Sequence, residues 1–509
     1  MTYYVTTPIY YVNAQPHLGH AYTTIAADVL ARHMRQRGEE VFFLTGTDEH
    51  GEPVAQAAER EGTTPRELAD RNAARFLDLA GLVNATNDFF IRTSDERHVE
   101  RVQEVLQRVY DRGYVYEGVY EGWYCPRCAD FKTDAELEDG NRCPIHKIEL
   151  AREREDNYFF KLSEFQEPLE RLYEERPGWI VPRVRYNEAL AFIRSGLRDV
   201  SLTRGKLTWG VPVPWDEGHV FYVWFDALLN YYTALAFARD GEDLTERFWP
   251  ADVHLIGKDI LKFHAVFWPA LLMAAGVEVP QRLCIHGYLL MDEHKMSKSL
   301  GNVIDPFQVA EVYGVDALRY YLFASVGFGQ DGNISPADLE ARYVSELANE
   351  YGNLASRTLA MIRKYNSGIV PAAQPARELE RLFADARDRI RDSFDRVEIS
   401  GALEQTWELV RALNRYVQEQ EPWQLVKDPE KGMLLDSVLT SLAEGLRVVS
   451  ILLHPFMPDA TIKLLTALHC ENEIALTDAD YGMGEWGATR GELGELPPLF
   501  PRIEHPEPA

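Results

Sequence analysis

Cysteine is scarce and unevenly placed. Five cysteines in 509 residues, three of them between positions 125 and 143, exclude a disulfide-built scaffold and point to metal binding in that segment. Cys284 and Cys470 are left as buried thiols. Long apolar runs are missing too, since no stretch approaches the ~20 residues a bilayer demands. No membrane span is expected. The start offers no export signal: Met1 leads straight into the strand-like Tyr3-Tyr4-Val5-Thr6, with no basic segment or apolar core ahead of it, which reads as cytoplasmic. Positive charge is in deficit, with 53 Lys and Arg against 80 Asp and Glu and a formal net charge of −27. Sequence-indifferent nucleic-acid affinity comes mostly from phosphate neutralisation by basic side chains. An indiscriminate binder is therefore excluded, while a restricted nucleic-acid site is not. Internal repeats and low-complexity tracts are absent.

What is present suits a multidomain globular chain, 46% hydrophobic and 26% charged, long enough for three or four domains. Residues 3–6 read as a strand and 8–16 as a loop. Ala21, Ile25, Val29, Leu30 and Met34 recur at helical spacing until Gly38, and 41–44 form another apolar strand. Strand, helix and strand within about fifty residues is the βαβ unit of a doubly wound parallel sheet. Residues 100–111 read as a further helix, after which 114–124 turn aromatic and Gly-rich and the cysteines follow. The α/β texture returns at 220–225, 254–256 and 283–286, and 338–468 is nearly continuous helical pattern. The expected fold is therefore a Rossmann-like α/β parallel-sheet domain in two halves, 1–115 and 216–285. A metal-binding module is inserted at 116–215, a connecting region spans 286–345, and an all-α helical bundle fills 346–509 with a Pro-rich extended tail.

Pro16-His17-Leu18-Gly19-His20 sits where the first loop enters the first helix, beside unpaired backbone N–H groups and the positive end of the helix dipole. Imidazoles there can donate to phosphate oxygens, and a glycine lets the ligand approach the backbone. A metal would need a third ligand, and Asn13, Gln15 and Thr23 are poor ones. Phosphate is the better functional reading, with helix capping or core packing as the bland one. A second motif, Lys295-Met296-Ser297-Lys298-Ser299 followed by Leu300-Gly301-Asn302, sets two ammonium groups after the α/β region. It is either a solvated basic loop or a mobile loop that neutralises a triphosphate as charge moves to the leaving pyrophosphate.

Together, in this order, the two motifs resemble the two signatures of class I aminoacyl-tRNA synthetases. The surrounding residues resemble the methionyl-tRNA synthetase family over essentially the whole chain: Thr7-Pro8-Ile9-Tyr10-Tyr11-Val12-Asn13, Thr45-Gly46-Thr47-Asp48-Glu49-His50-Gly51, Tyr222-Val223-Trp224-Phe225-Asp226-Ala227, Gly257-Lys258-Asp259-Ile260, Phe263-His264 and Trp268-Pro269. The resemblance implies ATP-dependent activation of methionine to methionyl-adenylate, then transfer to the 3′ end of initiator and elongator methionine tRNAs. By it, Ile9, Tyr11, Trp224, Ala227, Tyr231, Ile260, Phe263, His264 and Trp268 form or close the methionine pocket and Asp48 holds the amino group. His17, Gly19, His20, Gly257, Asp259, Lys295 and Lys298 serve ATP, which brings Mg²⁺. Of these, His17, His20, Lys295 and Lys298 stabilise transition-state charge and Asp259 meets the ribose.

The residue types make sense on their own terms. A neutral thioether offers no charge, so selection must rest on shape, sulfur–aromatic contact and a weak hydrogen bond from a Tyr or His donor. Core packing is the bland reading of Trp224, Phe263 and Trp268. Homocysteine lacks one methyl, worth only ~1 to 3 kcal/mol in a pocket, so error correction is expected, although no large editing insert is visible.

Cys125-Pro126-Arg127-Cys128 and Cys143-Pro144-Ile145-His146 repeat one two-residue spacing. That is the pattern of one closed, tetrahedral, structural zinc site. A redox Cys-x-x-Cys pair is the competitor, disfavoured because the second knuckle repeats the first. Some family members carry two knuckle pairs and four cysteines per metal; here histidine is the fourth ligand.

In the helical half, Asn353 and Arg357 are four apart on one helix face, and Trp423 follows Glu421-Pro422 at a helix start. A planar donor fork and a stacking surface suit unstacked RNA bases. A Trp pinning helices and an Arg on a solvated face is the bland reading, and resemblance to the family's anticodon-binding residues favours the former. By the same resemblance, 286–345 carries the lysine signature and touches the tRNA stem. Many relatives append an oligonucleotide-binding domain that dimerises them. This sequence ends at Ala509 without one, so a monomer is expected.

Two other classes compete. A small-molecule adenylyltransferase would share the histidine motif but have no use for the zinc module or helical half. A non-catalytic tRNA-binding paralogue would be free to lose the histidines and lysines. Synthetases for leucine, isoleucine or valine carry a much larger editing insertion.

Overall fold

The computed structural model describes residues 1–125, 130–132, 134–145, 147–291, 294–295, 304–479 and 492–503. Seven strands build one all-parallel sheet. Across it run Phe89–Arg92, Glu40–Asp48, Thr2–Thr6, Val253–Gly257, Leu283–His286 and Ile180–Val181, while Tyr10–Tyr11 pairs with Thr47 and Asp48 beyond the end of the first strand. The central strands are near-continuous apolar runs because helices cover both faces. Chain order leads outward from Thr2–Thr6 on one side and from Val253–Gly257 to Leu283–His286 on the other, where the earlier Ile180–Val181 adds the edge strand. The reversal between these two neighbours opens a crevice at their carboxyl ends, where ligands of doubly wound sheets bind.

The first helix, Leu18–Gln36, buries 15 of its 19 residues, although its sequence suggested a single apolar stripe. The sheet covers one side and the C-terminal helices cover another, so even Thr23, Thr24 and Asp28 are enclosed. Gly38, at φ +80°, ends it in the left-handed conformation that glycine adopts without strain.

Within residues 116–215 the chain forms a long antiparallel pair, Val115–Cys125 with Ala151–Phe160. Asp130–Lys132 and Val200–Ser201 flank it. The chain then touches the main sheet through Ile180–Val181 before the small antiparallel strands at Thr203–Arg204, Pro212–Val213 and Asp216–Phe221, so the span is not one uninterrupted excursion.

The helical half comprises Pro336–Arg342, a π-helical stretch Tyr343–Gly352, then Asn353–Tyr365, Arg377–Asp395, Ile399–Gln420, the short Pro422–Leu425, Gly432–Leu453 and Pro458–Ala467. It shares an apolar core with the first helix and is tied to the sheet domain by Arg319. That fully buried guanidinium meets Asp28 at 2.7 Å and donates to the carbonyls of Val83, Pro455 and Phe456. Gln36 adds two bonds, to the carbonyls of Ile451 and Ile474, each 2.8 Å.

Candidate active site and helical cleft

His17 and His20 carry out the capping reading and thereby prepare the other one. His17 is the N-cap, and its Nδ1 accepts from the Gly19 amide at 3.0 Å, while His20 Nδ1 accepts from the His17 amide at 3.0 Å. The amides of His20 and Ala21 bond the His17 carbonyl. These helix-start donors are spent internally, contrary to the expectation that backbone N–H groups would greet the phosphate. A neutral imidazole that accepts at Nδ1 carries its proton on Nε2. The cap thus sets both rings, 3.8 Å apart between centroids, in the tautomer that donates from Nε2. Gly19 is needed for this arrangement, because a Cβ there would lie 2.9 Å from His17 Cε1.

At the end of the Glu40–Asp48 strand a slot of about 70 Å³ is lined by Pro8, Ile9, Tyr11, Asp48, Trp224, Ala227, Leu228, Tyr231, Ile260 and His264. Its volume is the liquid share of roughly two waters, which suits a slender side chain. Eight of the residues expected at the methionine pocket meet here; Pro8 and Leu228 were not foreseen. Phe263 and Trp268 stand one layer back. Phe263 stacks on Trp224 at 3.7 Å with planes 6° apart. Trp268 donates to His254 Nε2 at 3.3 Å, and the His254 ring lies 4.3 Å from that of Tyr231.

Protons at the slot are largely committed. His264 Nδ1 lies 3.1 Å from the Ile260 carbonyl, so it must be the donor there, and Nε2 accepts from the Tyr231 hydroxyl at 2.8 Å. Burial pushes the His264 pKa down to about 4 and raises that of Tyr231, so both remain neutral. Neither has a spare proton for sulfur, contrary to expectation. The buried Trp224 Nε1–H has no partner among the described residues. Shape and ring faces therefore carry most of the selection.

Asp48 is buried, and its Oδ1 lacks a partner among the described residues. Burial first, then Asp226 and Glu49, raise its pKa well above the carboxylate range. Motif reading missed what stands behind it. His50 Nδ1 and His98 Nε2 meet the two oxygens of buried Asp226 at 2.8 and 3.1 Å, and Arg92 grips Glu49 with two bonds of 2.7 and 2.9 Å. His50 and Asp226 lay inside quoted motifs, where an ionisable residue in an apolar context was the available signal.

On the other lip of the crevice, Gly257 ends its strand just before Asp259. A Cβ at Gly257 would meet Asp259 Oδ1 at 2.7 Å, so only glycine leaves that carboxylate its place. His286, also unforeseen, ties the lips together through Thr23 Oγ1 at 2.8 Å. Lys295 lies in the strand His294–Lys295, paired antiparallel to Leu289–Met291. Lys298 is outside the described residues.

A second cleft, about 420 Å³, opens between Asn353–Tyr365 and Ile399–Gln420, lined by Asn349, Asn353, Ser356, Arg357, Asn414 and Gln418. Arg357 has no ion-pair partner among the described residues, its Nε is without an acceptor there, and partial burial lowers its pKa. Trp423 begins the short Pro422–Leu425 helix, half-buried against the helical core, and is not among the cleft's lining residues. In the inserted module Cys125 and Cys143 are buried together with Leu150; Cys128 and His146 lie outside the described residues. Among the described residues no group of three metal-ligating side chains forms. No helix there is long and apolar enough to cross a membrane.

A switch-point crevice flanked by paired imidazoles at the first helix, an acid-floored apolar slot beside it, and a helical bundle joined to the sheet define a class I aminoacyl-tRNA synthetase. Similarity to known proteins specifies the member. The family described as "tRNA synthetases class I (M)" matches residues 3–155 and 141–359, and "Anticodon binding domain of methionyl tRNA ligase" matches 370–487. A methionine–tRNA ligase of Streptomyces coelicolor is 46% identical over 99% of this chain and 97% of its own length; one from Rhizobium meliloti is 44% identical over 99% of both. The solved Mycobacterium tuberculosis methionyl-tRNA synthetase in complex with methionyl-adenylate superposes with a TM-score of 0.93 at 40% identity, over 98% of this chain and all of that one. The chain belongs to the methionyl-tRNA synthetases, ATP-dependent aminoacyl-tRNA ligases that work with Mg²⁺ accompanying ATP.

Proposed function

We propose that the slot takes L-methionine with its ammonium on Asp48 and its side chain between Trp224, Tyr231 and His264. The methionine carboxylate then attacks the ATP α-phosphate in the crevice to give methionyl-adenylate and pyrophosphate. The Nε2–H groups of His17 and His20, with Lys295 and Lys298, meet charge as it develops on the phosphates, and Asp259 meets the ribose next to Gly257. The acyl group passes to the 3′ end of methionine tRNA, whose anticodon is read at Asn353, Arg357 and Trp423. The observation that carries this reading is the unpartnered oxygen of Asp48 at an otherwise apolar slot, a site for one cation attached to one slender apolar chain. Amino-acid-dependent exchange of pyrophosphate into ATP, run with all twenty amino acids, tests it. Exchange with methionine alone is expected, and exchange with leucine or cysteine but not methionine overturns it.

A single structural zinc on Cys125, Cys128, Cys143 and His146 completes the proposal. Supporting it are the joint burial of Cys125 and Cys143 and the tight turn after Cys143, in which the Lys147 amide bonds the Cys143 carbonyl at 2.8 Å. Thiolates and an imidazole make a donor set that suits zinc. We also take 1–115 with 216–285 as the catalytic halves, 116–215 as the zinc module, 286–345 as the stem-contact region and 346–509 as the anticodon-binding part of a monomeric cytoplasmic enzyme.

A further inference from the structure

Three carboxylates crowd the end of one strand, and they are not treated alike. Glu49 is neutralised by the Arg92 fork, and Asp226 is held by imidazoles on both oxygens. Asp48 is buried at the slot, no basic side chain pairs with it among the described residues, and its Oδ1 has no partner there. His50, two residues after Asp48 in the chain, sets its ring against Asp226 Oδ2 at 2.8 Å. Asp226 lies on the Val223–Leu228 helix, which also supplies Trp224 and Ala227 to the slot.

We propose that Asp226, clamped by His50 and His98, is a positioning residue that keeps Asp48 protonated while the slot is empty, so that binding of methionine expels one proton to solvent. This deepens the assignment of Asp48 to the ammonium and rests on it. The step balances: the Asp48 carboxylic acid gives up its O–H proton to buffer, and the resulting carboxylate pairs with the ligand's ammonium, which keeps its own three protons. A buried acid beside a second buried anion resists ionisation until a cation arrives. The empty slot thereby avoids holding a second buried anion beside the clamped Asp226.

Several titratable and charged groups surround Asp48. Facing it are Glu49 and His50 from its own segment, Asp226 and Tyr231 from residues 223–233, Tyr11 from the first loop and His264 from the opposite wall. Arg92 stands behind Glu49, and His98 behind Asp226. His264 is pushed down to about 4 by burial, Tyr231 is raised, and Asp226 is held below the ordinary carboxylate range by His50 and His98 against the effect of burial. None of these three changes charge near neutrality.

Titration calorimetry of methionine binding to the intact enzyme, in two buffers of different ionisation enthalpy, reads the proton directly. The wild type is expected to release close to one proton at about pH 7, with affinity rising by up to tenfold per pH unit until the empty-slot pKa of Asp48 is passed. In Asp226→Asn the release should fall at the same pH, and the pH dependence of the methionine KM should move to lower pH while kcat changes less. Should Asp226→Asn fail to fold, the wild-type measurement stands alone. No proton released by the wild type, or an Asp226→Asn enzyme with only a lower Tm and an unshifted pH profile, overturns the proposal. The underlying assignment fails separately, if Asp48→Asn binds methionine as tightly as the wild type.

Discussion

The slot proposed for methionine and the helical cleft proposed for the anticodon are built in opposite ways. The slot is small, about 70 Å³, with aromatic walls, committed hydrogen bonds and one acid oxygen that has no partner among the described residues. The cleft is about six times larger (420 against 70 Å³), lined by amides and a guanidinium with no ion-pair partner among the described residues. A small neutral side chain offers nothing to grip, so the protein must remove water and competing donors and let shape decide. An RNA base offers edges rich in donors and acceptors, so the protein does better to leave its own polar groups in reach. Satisfied polarity excludes wrong ligands in the first region, and unsatisfied polarity attracts the right one in the second.

The joint between the regions provides the largest test. Arg319→Met leaves Asp28 buried without its main partner and removes three bonds to carbonyls on both sides. Such a loss costs about 3–5 kcal/mol, and denaturant unfolding should show it. A change below about 1 kcal/mol would mean that the shared apolar core alone unites the halves. Next comes the catalytic side alone. His17→Asn keeps a side-chain acceptor for the helix cap but loses the Nε2 donor, so methionine-dependent exchange should fall about 10²–10³-fold with little change in Tm. A large fall in Tm with exchange per folded enzyme preserved would reduce His17 to a cap.

The helical side should answer in the other assay. Arg357→Ala should leave exchange intact and lower tRNA charging by about one to two orders of magnitude, in keeping with ~1 to 3 kcal/mol for a base-reading arginine. Trp423→Ala should lose a similar amount if the indole stacks on a base. If instead the mutant separates right from wrong anticodons as well as its parent, Trp423 only packs the bundle, as its position off the cleft lining allows. The smallest effect belongs to Tyr231→Phe. It removes one neutral hydrogen bond, worth about 0.5–1.5 kcal/mol, and should raise the methionine KM by roughly tenfold or less. A larger loss would show that the hydroxyl contacts the ligand and does more than hold His264.

Legibility divided along physical lines. Leu18–Gln36 could be foreseen because helical periodicity and a closing Gly38 are local signals, and eight of the ten slot residues because the motifs that hold or flank them resemble those of a known family. Two readings of His17 and His20, cap or phosphate donor, looked exclusive in the sequence and are compatible in the structure: capping through Nδ1 is what assigns the proton to Nε2. The full burial of Leu18–Gln36 could not be read from its own residues, because helices more than three hundred positions later complete it. The His50–Asp226–His98 clamp was hidden for the same reason, joining residues 176 and 128 positions apart. Phe263 and Trp268, expected to form or close the pocket, stand behind Trp224 and Tyr231. Composition and spacing suffice to say which chemistry a segment can support, since propensity, charge and ligand spacing act over a few residues. Which polar atoms are already satisfied, and hence which acid remains bare for a ligand, depends on partners that only the closed chain brings within 3 Å.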